Sequence, residues 1–493
     1  MGCVDALAVT TGGQIKGRSD GEVTAFLGVP YAAAPVGEQA YAAPQPVSWE
    51  GVRDATELGP TAPQPPYEPP YDGLLSNPLI PGADCLNVNV WTPGGSGLPI
   101  LVWFHGGAFR NGSNAVPEYD GTAFARDGVV LVGVNYRLGI QGFGVVPGSP
   151  SNRGLLDQVA ALRWVQENIA AFGGDPGQVT IAGESAGGMS VATLMSIPAA
   201  KGLFRRVIMQ SGSASVAAQE SDAVAVSAEI ARRLGVECSA AGLASVGLDE
   251  LIGAQRSVAM EMRAKPDPER WGVSTIRAGG GIMPFMPVID GELIFDVPVR
   301  TIAAGAAAGI ELLAGTTADE FHFFTVPSGL AAAITPEMLP AALAARGLPP
   351  ELGAAYAANR PGATPGDVVS DVLTDATFTI PTLKLATAQR DHGPTYLYEF
   401  AWPSPLEGVG ACHSLELAFM FDTLGTATSP LYGSAAPQAL ADHMHATWVA
   451  FAATGAPGWP PLSATARPVH IFNHPTSELH DNPRAAELAL WST

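Results

Sequence analysis

Cysteine is scarce in this chain, and positive charge is in deficit. The four cysteines, Cys3, Cys85, Cys238 and Cys412, are scattered and form no C-x-x-C pair. That spacing excludes a disulfide framework and offers no thiolate cage for a metal. Lysine and arginine together number 25 against 46 aspartates and glutamates, a formal net charge of −21. So acidic a surface repels phosphate backbones and anionic lipids, which sets nucleic acid and membrane aside as partners; its plain role is solubility. No apolar run approaches the roughly 20 residues needed to span a bilayer. The start, Met1-Gly2-Cys3-Val4-Asp5, lacks the basic region and apolar run of a secretory signal, so a cytoplasmic protein, monomeric or homodimeric, is the expectation. A G-x-G-x-x-G loop followed by an acid at dinucleotide spacing is also missing, which argues against a nucleotide-binding enzyme.

What is present is apolar material. It makes up 47% of the 493 residues, against 14% charged, enough for an enzyme-sized folded body. The length allows two to four domains or one large α/β domain with insertions. With no internal repeat and no long linker, we read residues 1–493 as a single domain. Residues 60–81 are proline-dense and predict an irregular surface excursion.

Then the pattern changes. Pro99-Ile-Leu-Val-Trp-Phe104 and Val129-Val-Leu-Val-Gly-Val134 are continuous apolar runs, the signature of fully buried strands. From Gly154 to Phe172 the period becomes helical, with Leu155, Val159, Leu162, Val165 and Ile169 on one face, until Gly173-Gly174-Asp175-Pro176 stops it. Val179-Thr-Ile-Ala182 is a further strand, and Ala186 onward suits a helix. Later strand candidates are 311–314, 395–400 and 469–472. This alternation predicts an α/β fold with a large, mainly parallel sheet flanked by helices. Alanine-rich stretches read as helical insertions around the site, over about 215–300 and 325–390.

The chemistry centres on Gly183-Glu-Ser-Ala-Gly187, a G-x-S-x-G between a strand and a helix. A tight strand-to-helix turn needs small neighbours, and it lifts the Ser185 hydroxyl into a cleft. The following helix aims free N–H groups and its positive end at the site. His105-Gly106-Gly107 closes the first buried strand. Adjacent glycines expose backbone N–H groups, so Gly106, Gly107 and Ala186 are the candidate oxyanion donors. A serine nucleophile needs a base oriented by a carboxylate. His413 stands on a small-residue loop, whereas His443 and His445 sit in a helical stretch and read as structural. Asp319-Glu320 lies just past the strand at 311–314. The order Ser185, Glu320, His413 suits an α/β-hydrolase. Spacing alone chooses neither Glu320 over Asp319 nor His413 over the other histidines.

These residues identify a resemblance. Phe26-Leu-Gly-Val-Pro-Tyr31, Asp84-Cys-Leu-Asn-Val-Asn-Val-Trp-Thr-Pro93, Phe104-His-Gly-Gly107, Asn135-Tyr-Arg-Leu-Gly139, Gly154-Leu-Leu-Asp-Gln158, Phe172-Gly-Gly-Asp-Pro176, Gly183-Glu-Ser-Ala-Gly-Gly188 and Gln210-Ser-Gly-Ser213 run nearly end to end. The chain resembles the type-B carboxylesterases, a family of α/β-hydrolases that includes cholinesterases and bacterial para-nitrobenzyl esterases. The resemblance implies Glu320 as the acid, His413 as the base, and an oxyanion hole at Gly106, Gly107 and Ala186, with no metal and no cofactor. There are departures. The family's cysteine upstream of Cys85 falls at Ala62, which implies no disulfide there and fits a reducing compartment. A family ion pair is lost at both ends, at Ala40 and Ala83. A second, between Arg137 and Asp175, is expected to be kept. Phe321 replaces a family glycine and is expected to narrow the pocket wall. The apolar segment 279–287, with Phe321, Phe323 and Phe324, suggests a hydrophobic pocket.

The implied activity is hydrolysis of small-molecule carboxylic esters through an acyl-enzyme. The alternatives are the same machinery on amides or carbamates, and a non-catalytic binding protein of this fold.

Overall fold

The computed structural model describes residues 4–491. In chain order its strands are β1 (Val4–Thr10), β2 (Gly13–Ser19), β3 (Thr24–Pro30), β4 (Val52–Asp54), β5 (Asn87–Thr92), β6 (Leu98–Phe104), β7 (Val130–Val134), β8 (Gly174–Glu184), β9 (Arg206–Gln210), β10 (Ala218–Gln219), β11 (Val288–Ile289), β12 (Glu311–Thr317), β13 (Thr395–Phe400), β14 (Pro468–Phe472) and β15 (Glu478–Asp481). All but β10 and β11, which pair with each other, join one sheet. Its order is β1-β2-β3-β5-β7-β6-β8-β9-β12-β13-β14-β15, with β4 beside β2. From β7 to β14 every neighbour is parallel, and both margins are antiparallel apart from the short β4, which runs parallel to β2. This is the α/β-hydrolase fold.

The continuous apolar runs become central strands because both faces of the sheet are covered. Side chains alternate between the two faces, and the cores separate accordingly. Ile100, Val102 and Phe104 enter one core and Leu101 and Trp103 the other. The same split places Val130, Val132 and Val134 opposite Leu131, and Val207 and Met209 opposite Ile208. Helix 153–168 covers the first face with Leu155, Val159, Leu162 and Val165; helix 438–454 covers the second with Met444, Trp448 and Phe451. Each such side chain, fully buried, contributes about 1.5–3 kcal/mol. The helix from Arg153 tightens to a 3₁₀ turn over Ile169–Phe172 and ends at Gly173, whose φ of 85° only glycine adopts freely.

Further helices lie between β9 and β12, chiefly 220–234 and 248–264, and between β12 and β13, chiefly 351–359 and 365–390. No described helix is long and apolar enough to cross a membrane.

Two expectations need correction. Residues 60–81 are irregular, but they are not purely a surface excursion. Thr61, Ala62, Gln64 and Pro65 are buried against the segment after β6. Gln64 exchanges two 2.8 Å hydrogen bonds with the backbone of Gly112, and Asn111 donates to Pro65 O at 2.6 Å. The second correction concerns Arg137. It pairs with Asp157, not Asp175. Its Nε and Nη2 donate to the two oxygens of Asp157 at 2.9 and 2.7 Å, and both residues are buried. Its Nη1 donates to the carbonyls of Ala40 and Ala42 at 3.0 and 2.7 Å. The helix at 153–168 carries Asp157 against the end of β7, whereas Asp175, at the start of β8, accepts from Gly177 N in its own turn. Cys85 and Ala62 are both buried, and Cys85 is a free thiol.

A buried guanidinium stripped of its carboxylate is costly, roughly 3–5 kcal/mol. Asp157→Ala should therefore lower unfolding stability by about that amount, whereas Asp175→Ala should cost less than about 1 kcal/mol. Denaturant unfolding of the two variants side by side checks the reassignment.

Candidate active site

The parallel strands deliver their ends to one edge of the sheet, where α/β folds place their clefts. Ser185 follows β8, Gly106 and Gly107 follow β6, Glu320 lies three residues past β12, and His413 stands on the loop after β13.

The turn at Ser185 is strained and crowded. Ser185 has φ 55° and ψ −120°, outside the ordinary regions for a residue with a side chain, and caps the helix Ala186–Leu194. A Cβ on Gly187 would stand 1.9 Å from Phe104 O, and one on Gly183 would stand 2.5 Å from the Gly187 backbone. On Gly106 it would meet Glu184 Oε2 at 2.7 Å. The glycines of the motif are thus required by close backbone approach. After Gly107 (φ 112°), Ala108 and Phe109 also hold positive φ, which turns the chain sharply beside the serine. The N–H groups of Gly106, Gly107 and Ala186 find no backbone acceptor outside their own elements among the described residues.

The structure brings Ser185, His413 and Glu320 together. Ser185 Oγ lies 2.9 Å from His413 Nε2, and His413 Nδ1 lies 2.5 Å from Glu320 Oε2. The other oxygen of Glu320 accepts from Thr317 N at 2.9 Å, which fixes the carboxylate. Asp319, the local competitor, faces elsewhere and accepts from Ala411 N at 2.7 Å. His105 is buried and stacked on Tyr136, donates Nδ1–H to Gly106 O, and is pushed by burial down to about 4. His445 is bound to Met420 O, a structural role.

The profile of the carboxylesterase family matches residues 5–491. The chain belongs to this family, the type-B carboxylesterases. It is 37% identical to a para-nitrobenzyl esterase of Bacillus subtilis (strain 168), over 96% of this chain and 97% of the relative. With a phenmedipham hydrolase of Pseudarthrobacter oxydans it shares 35% identity, over 92% and 90%. The solved carboxylesterase of Geobacillus stearothermophilus superposes with a TM-score of 0.85 at 35% identity, covering 98% and 99% of the two chains. The protein is a carboxylic ester hydrolase.

Several groups at the candidate site carried little or no signal in the sequence. Glu184, the second residue of the G-x-S-x-G, places Oε1 3.1 Å from His413 Nε2 and accepts from Ser414 Oγ at 2.7 Å. An acid ending an apolar strand was its only signal. Burial raises its pKa. Glu416 is also buried; Gln210 Nε2 donates to it at 3.1 Å, and burial with the nearby Glu184 and Glu320 pushes it up to about 8. Neither Glu416 nor Phe378, whose ring centroid lies 4.8 Å from that of His413, carried any local signal. Phe324 is half-buried and 5.4 Å from the His413 ring. Phe321 does not form the wall expected of it: it is buried with Ile334, Leu343 and Tyr356, and its N–H donates to Thr374 Oγ1 at 2.9 Å. Within 279–287, Phe285 and Met286 are core residues.

His322 ties the acid loop to the rest. Its Nδ1 bonds Gly408 O at 3.0 Å, on the loop that carries His413, and its Nε2 bonds Asp371 Oδ1 at 2.9 Å. Two acceptors require two ring protons, so the ring is an imidazolium with no lone pair left for a metal, although Asp319 and Asp371 lie close by. Burial opposes the charge, but Asp371 and Gly408 O outweigh it and raise the ring to about 9. A raised pKa stabilises the fold fully below the unfolded value of about 6.5, and that stability is lost as pH rises through about 9. The stability of the wild type, read by denaturant unfolding, should therefore fall across that window relative to His322→Gln. Parallel stability curves for the two proteins contradict the assignment.

Proposed function

We propose that this carboxylesterase acts through an acyl-enzyme on Ser185, with His413 as general base and acid and Glu320 as its orienting carboxylate. The observation that carries the reading is the unbroken relay Ser185 Oγ–His413–Glu320, at 2.9 and 2.5 Å. Glu320 fixes the Nδ1–H tautomer, which leaves Nε2 free to accept the serine proton as Oγ attacks the ester carbonyl. Negative charge on the carbonyl oxygen is met by the N–H groups of Gly106, Gly107 and Ala186, and loss of one such donor costs roughly a hundredfold or more. The imidazolium then protonates the departing alcohol. Water, activated by the same imidazole, releases the acid. No metal or organic cofactor enters these steps.

Phe324, half-buried beside the imidazole, favours esters with an apolar acyl or alcohol part. The chain acts in this reading as one catalytic unit, monomeric or homodimeric. The free thiols of Cys85, Cys238 and Cys412 suit the reducing cytoplasm.

Wild type should hydrolyse a short-chain para-nitrophenyl ester, and Ser185→Ala should fall to background with an unchanged unfolding temperature. Undiminished turnover by the alanine variant refutes the nucleophile. If wild type is silent on a range of activated esters but cleaves amides or carbamates, the bond class is wrong instead.

The pH profile offers a second check. Burial lowers the His413 imidazole, but Glu184 and Glu320 outweigh it and raise it to about 9. The base must be neutral to accept a proton, so kcat/KM should climb on the alkaline side of the ordinary histidine value of about 6.5. Removing a neighbouring negative charge favours the neutral ring. Glu184→Gln should therefore move the acid limb to lower pH.

A further inference from the structure

The long helix between β12 and β13 is not regular. It runs as an α-helix over Pro365–Thr374, widens into a π-turn over Asp375–Thr379, and resumes as an α-helix over Ile380–Arg390. The sequence cause is Pro381, which lacks an N–H and crowds the preceding turn of an α-helix. Such single-turn π-bulges recur at functional sites.

This one is gripped from behind. Asp375 is buried and accepts from Tyr356 Oη and from Arg484, near the end of the described chain. Arg484 also bonds Glu487 at 2.6 Å, and Glu487 pairs with Arg360. On the site side, Thr374 Oγ1 takes the N–H of Phe321, the residue after Glu320. Phe378 sets its ring 4.8 Å from the His413 ring at 39°, closer than Phe324 at 5.4 Å or Phe323 at 6.3 Å. Phe378 is only 4% exposed, so its contact with the imidazole is shielded from water.

We propose that Phe378 is a positioning residue for the base: it fixes the plane of the His413 ring and favours the imidazolium formed as Ser185 is deprotonated. The proposal rests on the reading of His413 as that base. An aromatic face carries partial negative charge and attracts a cation within about 6 Å of its centroid, more so when water is excluded. The benefit arises only in the charged form of the ring, so it belongs to the transition state rather than to substrate binding. The charged groups facing His413 are Glu184 from the serine turn, Glu320 from the acid loop and Glu416 from the segment after the base; the buried Cys412 thiol is its chain neighbour. Asp319 and His322 on the acid loop are committed to Ala411 N and to Asp371, and Asp375 is turned to Tyr356 and Arg484. The aromatic ring therefore supplements a field set by the three glutamates.

The test compares Phe378→Leu and Phe378→Tyr with wild type on a para-nitrophenyl ester, measuring kcat, KM and the acid limb of kcat/KM. Phe378→Leu should lower kcat by roughly three- to thirtyfold with KM little changed, and move the acid limb down by about half a unit to one unit. Phe378→Tyr should restore both. An unmoved limb in the leucine variant, or a tyrosine variant no better than leucine, overturns the proposal. Should leucine fail to fold, pentafluorophenylalanine at position 378 keeps the shape and inverts the charge on the ring face. Its limb must also move down, and an unmoved limb overturns the proposal equally. His413→Ala turning over like wild type is a separate result, which removes the base reading itself.

Discussion

The structure depends on how closely two strand ends approach one another. Phe104 O, at the end of β6, lies where a Cβ on Gly187 would be, 1.9 Å away, and Gly106 abuts Glu184 and Ser185 just as tightly. Only with glycine at these positions can the turn after β8 nest against the turn after β6. That nesting accompanies a φ of 55° at Ser185 and brings Gly106 against the serine side chain. The backbone strain is held by fully buried strands on both sides, paired in parallel along Phe104↔Gly183 and Glu184↔Gln210. Reactive geometry is thus a consequence of sheet packing.

Electrostatics are arranged around a single imidazole. Three buried glutamates, 184, 320 and 416, surround His413. Such a cluster cannot all stay ionised in a low-dielectric site, and burial accordingly raises Glu184 and Glu416. Glu320 is held by Thr317 N and by His413 Nδ1. Hydrogen bonding fixes the Glu320 carboxylate against the His413 ring. Distant elements support this arrangement: Gln64 and Asn111 brace the loop after Gly107, and His322 ties the acid loop to the base loop.

Much of this was legible in the chain itself. The apolar runs at 99–104 and 129–134 read correctly as central strands, because a strand covered on both faces has no polar positions to blur its pattern. The helix from 153 read correctly because its apolar spacing repeats through to Ile169. Less legible was any pairing between distant segments. Arg137 was expected to meet Asp175, and only the packing of helix 153–168 on the sheet brings Asp157 into reach instead. Phe321 looked like a pocket residue from its place beside Glu320. Its neighbours, Leu343 and Tyr356, come from helices that follow in the chain, and these draw it into their own core.

By itself the sequence determined the local chemistry: a serine flanked by glycines between strand and helix, a glycine pair after a buried strand, and an acid and a histidine in hydrolase order. Those features are local because steric crowding and backbone freedom act over a few residues. Tertiary structure alone decided that Glu184 and Glu416 share the field of the imidazole and that a π-turn at 375–379 sets Phe378 beside its ring. These contacts join residues more than thirty positions apart in the chain, apart from the neighbouring Glu416. Their energies depend on burial and distance, which exist only once the sheet has brought the loops to one edge.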